Sequence, residues 1–303
     1  MYKKRMEIKD LENIIKDTKL EQFIGLIDYV ELKGYKYDNL YKIGNENQGY
    51  FALKIRKNTQ KYILDSIENM KKIIDPDEFI HKNNDIIEKD GLIIMISDWI
   101  NGIQPIDNNR KHLKNYFSLL AKFNKNNIVN NNFSSMYTYG NYFNSINDLV
   151  DWEINYHYKY LQEIIESNEI SEILNNLKKG KPCVILEDMN TGNLIITKDG
   201  KYIFIDTEWI INGLNLYQFE KIDYFGFDER KWYNINEEAK DCYIAYFETL
   251  GIETEEANKQ IRAFELLQIL RTNTCLRCNE DNNYNAEEIK NRIKIVLEYK
   301  NYI

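Results

Sequence analysis

The sequence predicts an α+β fold with two lobes, a β-rich amino-terminal lobe and a larger, mostly helical carboxyl-terminal lobe. Three observations support this. The chain has 303 residues, which is more than a single hydrophobic core usually organises. Short runs rich in β-branched and aromatic residues occupy roughly the first 100 positions. Beyond Trp99, apolar residues recur at three- and four-residue spacing, which indicates amphipathic helices.

The amino-terminal lobe is expected to contain strands around one helix. The predicted elements are strands at 35–43 and 50–55, a helix at 59–74, and strands at 78–80 and 91–96. Gly44 and Gly49 mark the turn between the first two strands. Asp75 and Pro76 end the helix. The run at 91–96 is continuously apolar and therefore predicts a buried strand.

The carboxyl-terminal lobe is expected to be helical with one embedded strand unit. Its predicted helices lie at 111–123, twice within 146–177, and at 237–250, 255–271 and 286–299. Asn285 is a suitable N-cap for the last of them. The strand unit comprises 183–186, 194–196 and 202–205. Asp199-Gly200 between the last two strands is a strong hairpin signal.

Charge and hydropathy narrow the classes of partner. The chain has 40 basic and 48 acidic residues and a net charge of −8. This argues against nucleic acid, because phosphate binding needs clustered Lys and Arg. No segment reaches the roughly 18 apolar residues of a spanning helix, so no membrane partner is expected. The oligomeric state is not predicted.

The four cysteines are expected to lie in a reducing cytoplasm, because the charged amino terminus lacks the apolar stretch of a signal peptide. Cys275 and Cys278 form a C-x-x-C pair, which raises zinc or redox chemistry. Zinc would need a second ligand pair. The remaining candidates are scattered: Cys183, Cys242, His81, His112 and His157. We favour two ordinary thiols.

The most informative segment combines two carboxylates and an amide. Asp188 and Asn193 lie five residues apart in a loop between predicted strands, and Asp206 ends the next strand. Glu208 follows two residues later and shares a face with Asp206 if the segment is extended. Such oxygen ligands suit Mg²⁺, which prefers one or two carboxylates together with substrate phosphates. As individual residues, each is equally compatible with an ordinary turn.

This pattern resembles the catalytic and metal-binding loops of the aminoglycoside phosphotransferase and choline kinase superfamily, small-molecule kinases with a protein-kinase-like two-lobed fold. D-x-x-x-x-N is followed by a strand ending in I-D-x-E. Upstream, FALKIR at 51–56 resembles the strand with the phosphate-binding Lys. ISDWINGIQP at 96–105 resembles the hinge, and FSLLAKF at 117–123 resembles the helix after it. The resemblance spans roughly residues 35–230 and is most specific at 188–208.

The resemblance implies a role for each polar residue of the segment. Asp188 would orient the acceptor hydroxyl and take its proton. Asn193 and Asp206 would hold Mg²⁺ against the ATP phosphates, with Glu208 assisting the metal site. GTP remains open as an alternative donor. A protein kinase is disfavoured, because Asp206-Thr-Glu stands where protein kinases have Asp-Phe-Gly. A P-loop enzyme is disfavoured because the sequence has no P-loop motif.

The resemblance also implies nucleotide contacts and lobe boundaries. Lys54 would hold the α- and β-phosphates, oriented by Glu68, with Asp65 as the rival partner. The base would contact the backbone between Asp98 and Ile100. The implied lobes are residues 1–97, which bind nucleotide phosphates, a hinge at 98–105, and residues 106–303, which contain the catalytic loop, the metal site and the acceptor pocket. Asp223 is a candidate brace for the catalytic loop.

One departure from the family leaves two functions open. The family usually has His two residues before the catalytic Asp, but this chain has Leu186. Packing can hold the loop instead, and every charged group needed for transfer is present, so we favour an active enzyme. The alternative is a catalytically degenerate kinase fold with a binding or structural role, such as a spore-coat-like protein.

The acceptor is expected to be a small, amine-bearing molecule such as choline, ethanolamine or an aminoglycoside. The D-x-E pattern favours the choline-kinase-like branch. Acidic residues are frequent in the helices after 223, although solvated faces explain most of them equally well. The aromatic candidates for cation–π contacts to an amine are Trp209, Tyr217, Trp232 and Tyr233. Aromatic residues this common are more often part of the core.

Overall fold

The computed structural model describes most of the chain, and everything below concerns those residues. They are 7–18, 20–29, 39–47, 49–57, 70, 72–74, 79–81, 85–104, 110–135, 138, 141–161, 168–186, 193–205, 207, 210–219, 237–278, 285–299 and 301–303. The predicted helix at 59–74 lies almost entirely outside them.

The amino-terminal part is built on a five-stranded antiparallel sheet. Its strands are β1 (Ile27–Tyr29), β2 (Asn39–Asn45), β3 (Gly49–Lys57), β4 (Asp85–Lys89) and β5 (Leu92–Asp98), in the order β1-β2-β3-β5-β4. The strands predicted at 50–55 and 91–96 are confirmed, and β2 covers the described part of 35–43. The strand predicted at 78–80 is wrong in its described part, where Ile80 forms only a single bridge to Phe204.

The hairpin between β2 and β3 depends on two glycines. Gly44 and Gly49 have φ values of 107° and 81°. A Cβ atom on Gly44 would overlap the carbonyl oxygen of Gly49. Only glycine tolerates both the left-handed backbone and this close approach. The predicted turn between the two strands is therefore confirmed.

The two faces of this sheet belong to different cores. On one face, Tyr41, Leu53 and Ile94 pack against helix α1 (Ile8–Ile15), whose Leu11 and Ile15 are fully buried. On the opposite face, β5 contributes Ile93 and Met95 to the large core of the carboxyl-terminal part. Because side chains alternate along a strand, neighbouring residues of β5 point to different cores.

Six further helices form most of the rest of the described chain. They are α2 (Arg110–Asn126), α3 (Ile146–Tyr158), α4 (Asn168–Leu174), α5 (Glu237–Leu250), α6 (Thr254–Cys278) and α7 (Ala286–Glu298). All the helices predicted beyond residue 110 are confirmed. Asn285 caps α7 as expected, since its Oδ1 accepts hydrogen bonds from the amides of Glu287 and Glu288. No helix in the described part of the chain is long and apolar enough to cross a membrane.

The embedded strand unit forms two small sheets. Its strands are β6 (Gly102–Ile103), β7 (Pro182–Leu186), β8 (Leu194–Thr197), β9 (Tyr202–Phe204) and β10 (Ile210–Leu214). The predicted β8–β9 hairpin is confirmed, with Gly200 at φ 82° in its turn. β7 pairs with β10, while β6 pairs with β8. β1, β4, β6, β10 and α1 have no counterpart in the sequence-based prediction.

Candidate active site

Strand β7 leads directly into the segment that contains Asp188. Its last residue, Leu186, is 1% exposed and packs in the large core. The Leu186 carbonyl oxygen accepts a hydrogen bond of 2.9 Å from Nε2 of Gln218. Asp188 itself lies outside the described residues, so its assigned role stays a prediction. The backbone two residues before it is held by a buried amide rather than by a histidine side chain.

Asn193 directly precedes strand β8 and is 4% exposed. The Asn193 carbonyl oxygen accepts a hydrogen bond of 2.8 Å from the amide of Ile205. This bond joins the backbone of Asn193 to that of the residue directly before Asp206. Asp206 and Glu208 are outside the described residues. Asn193 and the residue directly before Asp206 are therefore hydrogen-bonded to each other at one end of the β8–β9 hairpin.

Thr207, between those two acids, is 3% exposed. Its Oγ1 donates a hydrogen bond of 3.0 Å to the carbonyl oxygen of His81. The His81 amide in turn donates to the carbonyl oxygen of Phe204 at 2.9 Å. The segment around residue 80 is thus hydrogen-bonded to the end of β9 and to the Thr207 side chain.

The half-buried His81 side chain lies where the segment around residue 80 meets β9, and its surroundings shift its pKa. Burial lowers the pKa of the His81 imidazole, and the nearby Asp98 carboxylate opposes that shift. Nε2 of His81 is buried and has no hydrogen-bond partner in the described part of the chain. A neutral imidazole is therefore expected here at neutral pH.

Lys54 lies in the middle of β3 opposite Met95 on β5. Directly opposite residues of an antiparallel pair share a face. Lys54 is therefore on the face of Met95, whereas its neighbours Leu53 and Ile55 point to the α1 core. Lys54 is thus on the third strand of the sheet, and its assigned contact to the phosphates stays a prediction. Glu68 and its rival Asp65 lie outside the described residues.

The predicted hinge begins where β5 ends. Asp98 is the last residue of β5 and is exposed, and Ile100 is half-buried. Between them, the Trp99 amide donates a hydrogen bond of 2.9 Å to the carbonyl oxygen of Tyr50. The chain then enters β6, which pairs with the end of β8 at Ile196 and Thr197. The segment from 98 to 103 thus connects the sheet that carries Lys54 with the hairpin that carries Asn193.

Sequence reasoning missed a second lysine on the Lys54 face. Lys42 of β2 lies opposite Ala52, two residues from Lys54. Its Nζ is 3.8 Å from the centre of the Tyr50 ring and 5.2 Å from that of Trp99. The alternation of β2 could have placed Lys42 on this face, but only the strand pairing brings it toward the hinge.

Two other sequence-based candidates have different surroundings. Tyr217 is 4% exposed; its hydroxyl donates to Glu153 and its ring lies 4.7 Å from the Arg271 guanidinium. The proposal that Tyr217 contacts a ligand amine is therefore wrong. Trp209, Trp232, Tyr233 and Asp223 lie outside the described residues.

Cys275 and Cys278 are exposed in the last turns of α6, and no disulfide joins them. Within the described ranges, no three or more His, Cys, Asp or Glu side chains are grouped as a metal would require.

Solved structures of small-molecule kinases have the same fold. No family model matches the chain, and no curated protein sequence matches it. An aminoglycoside phosphotransferase, APH(4)-Ia, aligns over 95% of this chain and 97% of its own, with a TM-score of 0.58 and 14% identity. Plasmodium vivax ethanolamine kinase aligns over 96% of this chain and 86% of its own, with a TM-score of 0.59 and 14% identity. Streptococcus pneumoniae choline kinase LicA aligns over 95% of this chain and 99% of its own, with a TM-score of 0.52 and 15% identity.

These likenesses establish the predicted protein-kinase-like two-lobed α+β fold. The APH(4)-Ia structure is a ternary complex with AMP-PNP and hygromycin B. At this level of identity the agreement concerns the backbone. The chemistry of this chain has to be argued from its own residues.

Proposed function

We propose that this chain, which has the fold of the aminoglycoside phosphotransferase and choline kinase superfamily, transfers the γ-phosphate of ATP to a hydroxyl group of a small molecule. The observation that carries the proposal is the hydrogen bond between Ile205 and Asn193. It joins the backbone of Asn193 to the residue directly before Asp206, which supports a metal site shared by these residues. The hinge then links this hairpin to the strand that carries Lys54.

The donor set fits Mg²⁺. The side-chain oxygen of Asn193 and the carboxylates of Asp206 and Glu208 are hard oxygen ligands, and Mg²⁺ is usually held by few such ligands together with substrate phosphates. When bound, Mg²⁺ neutralises phosphate charge. Asn193 and Thr207, the residue between the two predicted carboxylate ligands, are both buried, which supports a site at this position.

Asp188 is proposed to accept the proton of the acceptor hydroxyl as the hydroxyl attacks phosphorus. Phosphoryl transfer depends mainly on positioning and charge stabilisation, so the direction of this carboxylate matters more than its basicity. The hydrogen bond from Gln218 to Leu186 supports an ordered entry to this segment. It weakens the case for a degenerate site that the absence of the usual histidine raised.

The nucleotide is proposed to lie along the Lys54 face of the sheet. Lys54 would contact the α- and β-phosphates, with Glu68 as its orienting carboxylate. The base would contact the backbone between Asp98 and Ile100. ATP is the proposed donor, with GTP as the alternative to be tested beside it.

The acceptor is proposed to bear an amine. The net charge of −8 favours a cationic ligand over an anionic one, and the D-x-E pattern favours a choline- or ethanolamine-like compound over an aminoglycoside. The competing function is a non-catalytic protein on the same fold, which Leu186 in place of histidine motivates.

The test is nucleotide-dependent ADP or GDP release in the presence of Mg²⁺ across choline, ethanolamine, aminoglycosides, methylthioribose and homoserine. Release stimulated by one acceptor class is expected, and Asp188→Asn should reduce it by about 100-fold or more. Asp199→Asn, in the exposed turn between β8 and β9, is the matched control and should leave the rate unchanged. If no acceptor stimulates release and Mg·ATP does not bind, the non-catalytic alternative is correct.

A further inference from the structure

Strand β7 is clamped at both ends by one short helical turn. This turn, a 3-10 helix at Asn215–Phe219, follows β10. At the start of β7, the Lys181 amide donates to Oδ1 of Asn215 at 2.8 Å, and the Asn215 amide donates to the Lys181 carbonyl oxygen at 2.9 Å. At the end of β7, Gln218 donates to the Leu186 carbonyl oxygen. The same turn therefore fixes where the strand begins and where it ends.

A buried network holds the Gln218 amide in place. Nδ2 of Asn124 donates to the Val184 carbonyl oxygen at 2.8 Å and lies 3.4 Å from Oε1 of Gln218. The Tyr246 hydroxyl donates to Oδ1 of Asn124 at 2.6 Å. Burial raises the pKa of Tyr246 well above its usual value, so its hydroxyl stays protonated and remains a donor.

The burial of these groups makes each partner necessary. Asn124 is 2% exposed, Gln218 1% and Tyr246 fully buried. A buried carbonyl without a donor is costly, and water cannot replace the lost partner in a packed site. The orientation of the Gln218 side chain is thus fixed, and its amide donates the hydrogen bond that the last carbonyl of β7 needs.

We propose that Gln218 is a positioning residue for Asp188. It fixes the Leu186 backbone two residues before the acid, because its side-chain amide donates to the last carbonyl of β7. This inference rests on the proposed function only in giving Asp188 its catalytic role. A residue that fixes the direction of a catalytic carboxylate should influence turnover more than nucleotide binding, because Gln218 holds the backbone before Asp188, whereas Lys54, the proposed contact to the α- and β-phosphates, lies on β3.

The decisive variant is Gln218→Met, which keeps the length of the side chain and removes the donor. Its matched control is Gln260→Met. Gln260 is 2% exposed, and its Nε2 donates to the Lys179 carbonyl oxygen at 3.4 Å and to Glu256 at 3.0 Å. Both variants remove a buried glutamine that contacts a backbone carbonyl, but only one of these carbonyls precedes Asp188.

The expected result is a separation of kcat from stability. Gln218→Met should lower kcat by at least about tenfold, since displacing a reacting group by about 1 Å can cost 100-fold. The KM for Mg·ATP should stay within about a factor of two, because binding common to ground and transition states is untouched. Gln260→Met should lower Tm by a similar amount without this loss of kcat. Equal kcat in the two variants would overturn the proposal.

A second measurement does not depend on catalysis. Amide hydrogen exchange in peptides covering 187–192 should accelerate at least about tenfold in Gln218→Met relative to both wild type and Gln260→Met, since the loop loses a local anchor. If this difference appears while the wild type phosphorylates no acceptor, the proposed function fails and the positioning role stands. Unchanged exchange overturns the positioning role whatever the activity. Should Gln218→Met not fold, Gln218→Asn, which withdraws the donor by one methylene, replaces it in both measurements.

Discussion

The two sides of the proposed active site are held in place by different physical means. All 16 buried polar side chains of the described residues lie between Asn124 and Thr274, and the described part of the sheet before residue 104 contributes none. Lys54 is positioned by strand register and by apolar packing of its neighbours against α1. The backbone before Asp188 is positioned by buried amides.

This difference predicts different responses to substitution. Apolar packing yields gradually, because neighbouring side chains relax into the space that a smaller residue leaves. In a buried polar network, a single substitution can cost much stability, because each lost partner leaves another buried group without a hydrogen bond. Removing a single buried polar partner should therefore be most damaging in the carboxyl-terminal part. Substitution of the half-buried Lys42 and Lys54 on the sheet should affect binding with little effect on stability.

The largest effect is expected at the buried ion pair of Arg271 and Glu153. Both side chains are 1% exposed, and Nη2 of Arg271 lies 2.8 Å from each oxygen of Glu153. Arg271→Met leaves a buried carboxylate without its cation and should lower the free energy of unfolding by about 3–5 kcal/mol. Urea denaturation measures this change.

The control for that substitution is Lys259→Met on the same helix. Lys259 pairs with Glu255 at 2.6 Å, and both side chains are exposed. An exposed pair of this kind contributes little to stability, because water and salt screen its charges. If Arg271→Met costs no more than Lys259→Met, the buried polar groups are not what stabilises this part of the chain.

The next effect is a dependence of stability on pH that originates at His157. Its residue is 1% exposed, and Nδ1 lies 3.0 Å from Oγ1 of Thr274. Burial, and then the charges of Arg271 and Lys159, lower the pKa of His157 from 6.5 to about 3. Between these values the unfolded chain binds the proton and the folded one does not. The contribution of His157 is therefore complete above pH 6.5 and is lost as the pH falls toward 3.

The measurement is urea denaturation of wild type and His157→Gln from pH 7 to pH 4. The difference between their unfolding free energies should shrink by up to about 1.4 kcal/mol per pH unit below pH 6.5. Parallel pH profiles would mean that the His157 ring is protonated in the folded protein.

The sequence predicted elements whose signal is local. The β8–β9 hairpin follows from Asp199-Gly200 between two apolar runs, and helix α7 follows from its period and the Asn285 cap. β6 has two residues and exists because it pairs with β8. In β10, Gly213 lets the strand approach Tyr217 and Ile185, and glycine inside a strand is a signal against the assignment.

The same distinction applies to the site. Asp188, Asn193, Asp206 and Glu208 were recognised from spacing, which is local information. Gln218 could not be recognised, because a glutamine is usually exposed and becomes a brace only when β10 and the following turn fold against β7. Lys42 was missed for a related reason, since its place near the hinge results from pairing between three strands.

On the sheet side, Lys54→Met should change binding and leave folding intact. Loss of a charge-assisted contact to phosphate costs about 1.5–3 kcal/mol, so the Kd of Mg·ATP should rise by about 10- to 100-fold. Calorimetric titration measures the Kd, and Tm should match that of the wild type. The control, Lys89→Met on the edge strand β4, should retain wild-type affinity. Equal Kd values in the two variants would remove Lys54 from the nucleotide site.

The smallest effect is expected at Lys42, which tests whether the whole Lys54 face contributes to nucleotide binding. Its ammonium lies toward the hinge over the Tyr50 and Trp99 rings, so its influence should reach the base end of the nucleotide rather than the phosphates. Lys42→Met should weaken both ATP and GTP by about two- to fivefold, the scale of a half-exposed cation–π contact. Tyr50→Phe keeps the ring under the ammonium and serves as the control. A loss confined to one nucleotide would make Lys42 a determinant of base preference, and unchanged affinity for both would restrict the site to Lys54 and the hinge backbone.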